Sequence, residues 1–496
     1  MEKKGSITVF LALILSLLLS LVCTSIQSVQ AAAARTQILS SLDIGLYSLF
    51  GQYDSMLLED YDLFFLDGAQ GGSSLNLGKI YDNMESYIKP VLKQNSQRLS
   101  LKQGGFTGYR LATDQNGEVF YRQVVTCMKQ TLGSQGVRKL LGKLTQKEQS
   151  TKQAEQNGKQ TEQGNTLQSY DAEMDTASKN SEAAKEEQQK AQEGTDTSSG
   201  EAESGFSDGE QKPQVVNPIP ILKRIRQMSL LDLVVPAGKG ISDQECEKGQ
   251  LLSSRSVLEG MTMPGMPETD NSKTSQLLFQ QYLADRMGNY QTPASEGLKY
   301  QMEYILAGKN SDRKNLEKVV GRLLLIREGI NSASLMADSV KMAQVHTLAL
   351  AIASGFLIPP AAVIIEAALV LCWSFAESVL DLRELLYGGK VPLVKNASNW
   401  QLSLENLPYL LEKMDTERKN AENGMSYEDY LQIMLLSQSK KEKLERGMDM
   451  IEVHIRSHSG RQEFRLDNCI EAIEASIDVE ANRIKTFTVT RQYSYV

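Results

Sequence analysis

Histidine and cysteine are scarce in this chain, and their scarcity narrows its chemistry first. Three histidines, His346, His454 and His458, serve 496 residues. Only His454 and His458 share an i, i+4 spacing, and no HExxH motif accompanies them, so two imidazoles would lack the further ligands a metal requires. The five cysteines, Cys23, Cys127, Cys246, Cys372 and Cys469, are too dispersed for a CxxC knuckle or a dense disulfide framework, which leaves one disulfide open. Cys23 follows Val22, where a lipidation site would carry a small residue, and this argues against a lipoprotein. A basic field is also missing. The net charge is −8, and residues 145–212 hold 15 acidic against 7 basic side chains, so that segment alone accounts for the excess. Without clustered Lys and Arg to hold phosphates, nucleic acid is not an expected partner.

Catalytic constellations are equally thin. Gly136 to Lys143 has five residues between its glycines, one too many for a phosphate loop, and Leu144 stands where Ser or Thr would bind magnesium. Ser311-Asp312-Arg313-Lys314 matches a serine–lysine nucleophile pattern, but a serine before a charged helix reads as an N-cap. Asp60, Asp62 and Asp67 alternate with Tyr61, Leu63, Phe64, Phe65 and Leu66, which suits a buried turn better than a calcium loop. Glu366 is an ionisable group in an apolar helix and must find a partner, with Lys341 and Arg383 the nearest cations by spacing, or serve a proton pathway. Glu377, Asp381, Arg383 and Glu384 fall at helical spacing and read as a solvated ion-pair face. No catalytic, cofactor-binding or metal-binding residue is assigned, and the chain is expected not to be an enzyme.

Long apolar runs, by contrast, are present. Lys3 and Lys4 precede the uncharged run Ile7 to Val22, an n-region followed by an h-region, so the N-terminus is expected in the cytoplasm and the bulk of the chain outside. Cys23 to Ile26 extend the run toward the about 20 residues that cross a bilayer. Val29-Gln30-Ala31 also offers a signal-peptidase spacing, which keeps a cleaved, secreted protein open. No proline occurs before Pro90, and Leu42, Leu46, Leu49, Phe50, Tyr53, Met56, Leu57 and Tyr61 recur at steps of three and four. One helix from about Ile7 to about Phe64 is expected, greasy in the bilayer and amphipathic beyond it. Such a continuous helix argues for an anchor that is retained.

Composition divides the rest. Residues 1–66 form the anchor and its amphipathic extension, and 67–144 a first extracytoplasmic α/β segment with a helix around Tyr81 to Leu92. Gly104 to Tyr121 reads as a hairpin or extended piece turning at Asp114 to Gly117, and Val119 to Leu144 as helix. Residues 145–218, rich in Gln, Glu, Lys, Ser, Thr and Gly, read as an acidic disordered linker. A mainly helical domain follows over 219–450, with helices around Leu277 to Met287, Leu298 to Leu306, Leu316 to Ile330 and Ser334 to Leu350, and further ones over Leu407 to Lys413 and Tyr427 to Met450. It contains an apolar hairpin, 347–376, cornered at Pro359-Pro360; burial in the core is the leading reading and a second membrane insertion the other. Residues 451–496 alternate as strands, with Ile473, Ala475, Ile477 and Val479 in one and Phe487, Val489, Tyr493 and Tyr495 in the next.

The start Lys4-Gly5-Ser6-Ile7-Thr8-Val9-Phe10 resembles that of TadE/TadG-like, pilin-related proteins of tight-adherence (Flp) pilus systems. Tyr61 to Asp67, Leu323 to Glu328, Ala376 to Arg383, Gly388 to Leu393 and Phe464 to Ile470 resemble a family of uncharacterised exported proteins of Gram-positive anaerobes, associated with such loci. The resemblance covers most of the chain outside the linker and implies no catalytic residues. Counting from Ser6, the fifth residue is Phe10 where major pilins have glutamate, so it implies an accessory or pseudopilin-like subunit.

The expected fold is α+β, mostly α: a long N-terminal membrane-anchored helix, a helical extracytoplasmic region and a C-terminal β-hairpin or small antiparallel sheet. The expected function is a non-enzymatic, membrane-anchored, pilin-like accessory subunit of a tight-adherence pilus or related secretion filament. Its partners would be the membrane, pilus or secretion-system subunits and the cell wall. The alternatives are a secreted cell-surface adhesin and an exported hydrolase.

Overall fold

The computed structural model describes residues 3–94, 98–163, 165–192, 216–261, 263, 268–356, 358–416, 419–482 and 485–495, with side chains over the same residues apart from 3–6, 133–148, 161–163 and 180–192. Helix α1 (Lys3–Phe50) is followed by α2 (Ser55–Tyr61), strand β1 (Leu66–Asp67), α3 (Leu77–Lys93) and strand β2 (Leu99–Leu111). Next come α4 (Asp114–Gln163), α5 (Thr166–Gln192), α6 (Ile219–Arg226), α7 (Leu230–Val234), α8 (Lys273–Arg286) and α9 (Gln301–Ala307). Helices α10 (Asp312–Ala337), α11 (Ser339–Gly355), α12 (Ala362–Tyr387), α13 (Leu410–Lys413), α14 (Tyr427–Leu436) and α15 (Lys440–Arg456) precede strands β3 (Cys469–Ala481) and β4 (Lys485–Ser494). The fold is mostly helical, with a long apolar N-terminal helix and a small antiparallel sheet completed by the C-terminal strands.

The chain forms two compact units that do not follow the five consecutive segments expected from composition. One comprises Met1–Val137, Glu247–Arg286 and Lys440–Val496, the other Arg138–Cys246 and Met287–Ser439. In the first, β3 is the central strand. It pairs antiparallel with β2 from Leu99↔Ala481 to Leu111↔Ile470, and with β4 from Ala472↔Ser494 to Ala481↔Lys485. The extended stretch around Gly104 therefore joins a strand far away in sequence rather than forming a hairpin of its own. The expected turn falls within the first residues of α4, where Gln115, Asn116 and Gly117 take left-handed φ values of 55°, 58° and 84°.

The alternation of β3 turns Ile473, Ala475, Ile477 and Val479 to one face, where they meet Ile80, Met84, Ile88 and Leu92 of α3 and Ala34, Ile38, Leu42, Leu46, Leu49 and Phe50 of α1. Glycine at position 45 permits this approach, since a Cβ there would stand 2.4 Å from Ile88 Cγ1. Helix α1 ends at Phe50, not near Phe64 as its apolar spacing suggests. Tyr53 bridges to Leu66, the Asp54 amide bonds to the Phe65 carbonyl at 2.8 Å, and the Asp54 carboxylate then caps α2 through the amides of Met56 and Leu57. The apolar stripe resumes after the break with Leu57 and Tyr61 of α2, both buried.

The second unit is built around α12. Every residue from Ala368 to Leu386 is buried, as a helix apolar on nearly all sides requires. Helix α11 packs beside it through a corner at Pro359–Ala361. Residues 145–163 and 166–192 of the segment expected to be a disordered linker are helical; residues 164 and 193–215 lie outside the described residues. The end of α4 crosses α10 at backbone contact: a Cβ on Gly158 would stand 2.0 Å from the Leu325 carbonyl oxygen, and one on Gly329 2.0 Å from that of Ala154. Glu155 adds a two-pronged pair with Arg322 at 3.0 and 2.9 Å. On α5, buried Tyr170 accepts a 2.7 Å hydrogen bond from Asn217. Small residues and fixed polar pairs, rather than large apolar ones, hold this segment, so composition hid it.

That contact makes Gly158→Val a sharp test. A side chain facing an unyielding carbonyl should cost about 1–3 kcal/mol, seen as a lower melting temperature of the detergent-solubilised chain. Limited proteolysis should show faster cleavage within residues 149–163, and an unchanged cleavage rate would mean that this crossing does not hold the segment.

Candidate functional site

Residues 7–30 of α1 are exposed throughout, with Leu17 69 % and Val29 69 % accessible. From Ile7 to Ala34 no charge interrupts the helix, about 40 Å at the usual rise, against a hydrocarbon core of about 30 Å. Three of its hydroxyls turn inward on the helix itself: Ser16 donates to the Leu13 carbonyl at 2.9 Å, Thr24 to that of Ser20 at 2.9 Å and Ser25 to that of Leu21 at 2.8 Å. Polar groups satisfied in this way need no water, which suits a hydrocarbon surrounding. The helix is a candidate membrane anchor or signal sequence. Among its described side chains the first buried one is Ala34, beyond Ala31.

The remaining chemistry is interior. In the first unit, Arg255 holds Glu452 at 2.7 and 2.9 Å and Asp467 at 2.6 Å, while Arg110 and Arg122 both meet buried Glu471, at 2.9 and 3.3 Å. Burial opposes the Arg255 charge, but the two carboxylates outweigh it and raise its pKa.

In the second unit, Glu377 and Asp381 of α12 sit wholly buried beside Arg327 of α10 and Lys395. Arg327 donates to Asp381 at 3.0 and 2.7 Å, to the carbonyls of Pro392 and Leu393 at 3.0 and 3.1 Å, and to Tyr430 at 2.9 Å. Lys395 Nζ contacts Glu377 Oε1 and lies 2.5 Å from Asp381 Oδ1. The amides of Gln401 and Leu402 donate to Glu377 Oε1 and Oε2 at 2.8 and 3.0 Å. Burial pushes both carboxyls up. For Asp381, Arg327 and Lys395 outweigh burial and hold it below the usual range, whereas Glu377, beside the Asp381 charge, stays raised.

The residues singled out by sequence fall as follows. Glu377, Asp381, Arg383 and Glu384 form no solvated face, since α12 is covered on all sides there. Glu366 pairs with His346 at 2.8 Å, while Lys341 pairs with Asp338 and Arg383 with Asp415. His454 stacks edge to face on His458 with ring centres 5.0 Å apart, and its Nε2 stands 3.4 Å from Asp60. Among the described residues, no group of three potential metal ligands gathers. Ser311 occupies the N-cap of α10 without a side-chain capping bond; it is buried while Lys314 is exposed, so the two do not meet. Gly136 to Lys143 lie within helix α4 rather than in a loop. Asp62 ends α2 in a left-handed turn and pairs with Arg286, and Asp67 accepts from the amides of Ala69 and Gly71 at 3.0 and 2.9 Å. All five cysteines are free thiols. A groove of about 1020 Å³ runs between Ser339–Ala351 of α11 and Ser403–Tyr409.

Sequence reading missed Glu303, a carboxylate on α9 with no basic residue among its hydrogen-bond partners. It is fully buried, accepts from the Tyr290 amide at 2.9 Å and the Tyr427 hydroxyl at 2.8 Å, and its Oε2 has no partner among the described residues. Burial raises its pKa to about 7, against the opposing hydrogen bonds. A folded-state proton held above the unfolded value of 4.5 stabilises below that value and is lost as pH rises to about 7, a change of about 3 kcal/mol. Glu303→Gln keeps the hydrogen bonds and should abolish that slope, so denaturation at pH 5 and pH 8 should show the variant gaining on the wild type only at pH 8. In the first unit, Arg255→Met strands two buried carboxylates and should cost about 3–5 kcal/mol, measured by the shift of the urea midpoint.

Neither the curated proteins nor the solved structures contain a match to this chain. A family match spans residues 208–481, from beyond α1 through the α12 charge cluster to the end of β3. With more than half of its length matched, the chain belongs to DUF5702, a family of unknown function.

Proposed function

We propose that this chain is a non-enzymatic, membrane-anchored accessory subunit, with the first half of α1 in the bilayer and the two units on the outer side. The observation that carries the reading is the division of one continuous helix into an exposed, uncharged and largely apolar half and a packed half that begins at Ala34. Lys3 and Lys4 before the apolar run support a cytoplasmic N-terminus. The resemblance of Lys4 to Phe10 to pilin-related proteins supports a role beside a tight-adherence pilus or related secretion filament, through lateral packing of apolar helices. Phe10, in place of glutamate, supports an accessory place rather than that of a major subunit.

One observation favours the alternative of a secreted surface protein: cleavage after Ala31 would remove none of the buried residues of α1. Amino-terminal mass spectrometry on membrane and medium fractions separates the two. The anchored reading expects carbonate-resistant membrane protein starting at Met1 or Ser6, recovered with pilus or secretion subunits on affinity capture. A predominant Ala32 start in the medium would replace it with the secreted reading.

A further inference from the structure

Lys395, Glu377 and Asp381 meet in a pocket that solvent does not enter, with side-chain exposures of 1 %, 0 % and 0 %. The Nζ of Lys395 touches an oxygen bonded to the Glu377 carboxyl carbon, so nucleophile and electrophile are held together by the fold. Each Glu377 oxygen faces a main-chain amide, that of Gln401 or of Leu402, placed to stabilise negative charge developing on an oxygen of the tetrahedral intermediate. Asp381 stands against the same Nζ and is held in place through Arg327, Asn331 and Gln401. The indole of Trp400 lies 5.9 Å from Nζ, edge to face with Trp373.

We propose that Lys395 and Glu377 condense into an intramolecular isopeptide bond, with Asp381 as the proton relay. In the reacting form one proton has moved from the Lys395 ammonium to Glu377 across their contact, which puts a neutral amine beside a neutral carboxyl. Nζ then attacks Cδ of Glu377, and the N–C bond forms. Asp381 Oδ1 takes a proton from Nζ and returns it to the departing carboxyl oxygen, which leaves as water as the C–O bond breaks. One amine and one carboxylic acid become one amide and one water, with no oxidant or cofactor. The product removes one buried charge of each sign and leaves Arg327 and Asp381 as a balanced pair with their own hydrogen bonds. It ties the segment after α12 to the core helix.

Peptide mapping of the denatured full-length protein decides the matter and does not depend on the N-terminus. Trypsin should yield a branched species joining 342–383 to 391–413, lighter than the sum of the two by one water, with fragment ions placing the link between Glu377 and Lys395. Cleavage after Lys395 should be absent. The free pentapeptide 391–395 in stoichiometric amount would overturn the proposal. In Lys395→Met the 342–383 peptide should appear unlinked whether or not that variant folds, and a branched form persisting there would overturn the assignment of Nζ.

Discussion

A charge withdrawn from water has to be paired, and both units of this protein are organised around that requirement. Arg255 draws together a loop, helix α15 and the turn before β3 by holding Glu452 and Asp467 at once. Glu471 collects Arg110 from β2 and Arg122 from α4. In the second unit Arg327 joins α10 to α12, to the segment 392–393 and to α14. Each cluster links pieces far apart in sequence, and each would be costly to break on one side only. Their worth lies in specifying which segments meet, because apolar contact alone tolerates many arrangements.

The N-terminal helix, a candidate membrane anchor or signal sequence, follows the same rule of satisfied polar groups. From Ile7 to Ile26 the helix carries no charge, and the hydroxyls of Ser16, Thr24 and Ser25 bond to its own backbone. From Ala34 onward it carries one buried stripe and leaves charged Arg35 and Asp43 exposed. A single helix can serve both environments because its backbone is satisfied along its length, and only the side-chain pattern changes.

Small residues do what bulk does elsewhere. Where α4 meets α10, glycine on each helix brings backbone against backbone, and Glu155 with Arg322 fixes the crossing. A stretch poor in Leu, Ile and Phe looks incapable of folding when burial is judged by large side chains. Close approach of two helices buries main chain and Cα instead, a contribution that composition does not register. Glu303 was invisible for a related reason: a carboxylate at the start of a short helix looks solvated until the tyrosines around it are seen.

The sequence by itself determined the elements whose signal is periodic and local. The apolar N-terminal helix, the stripe from Leu42 onward, the turn at Asp114 to Gly117 and the alternation of the two C-terminal strands are each written within a few neighbouring residues. Only the tertiary structure decided what those elements meet. That β3 takes β2 as a partner, that Glu377 and Asp381 face inward to Lys395 and Arg327 rather than outward, and that Glu366 finds His346 instead of Lys341 all depend on residues distant in the chain. Spacing along one helix places charges on a common face but says nothing of whether that face meets water or protein. On α12 it meets protein on every side, because the helices and turns around it leave no path for solvent.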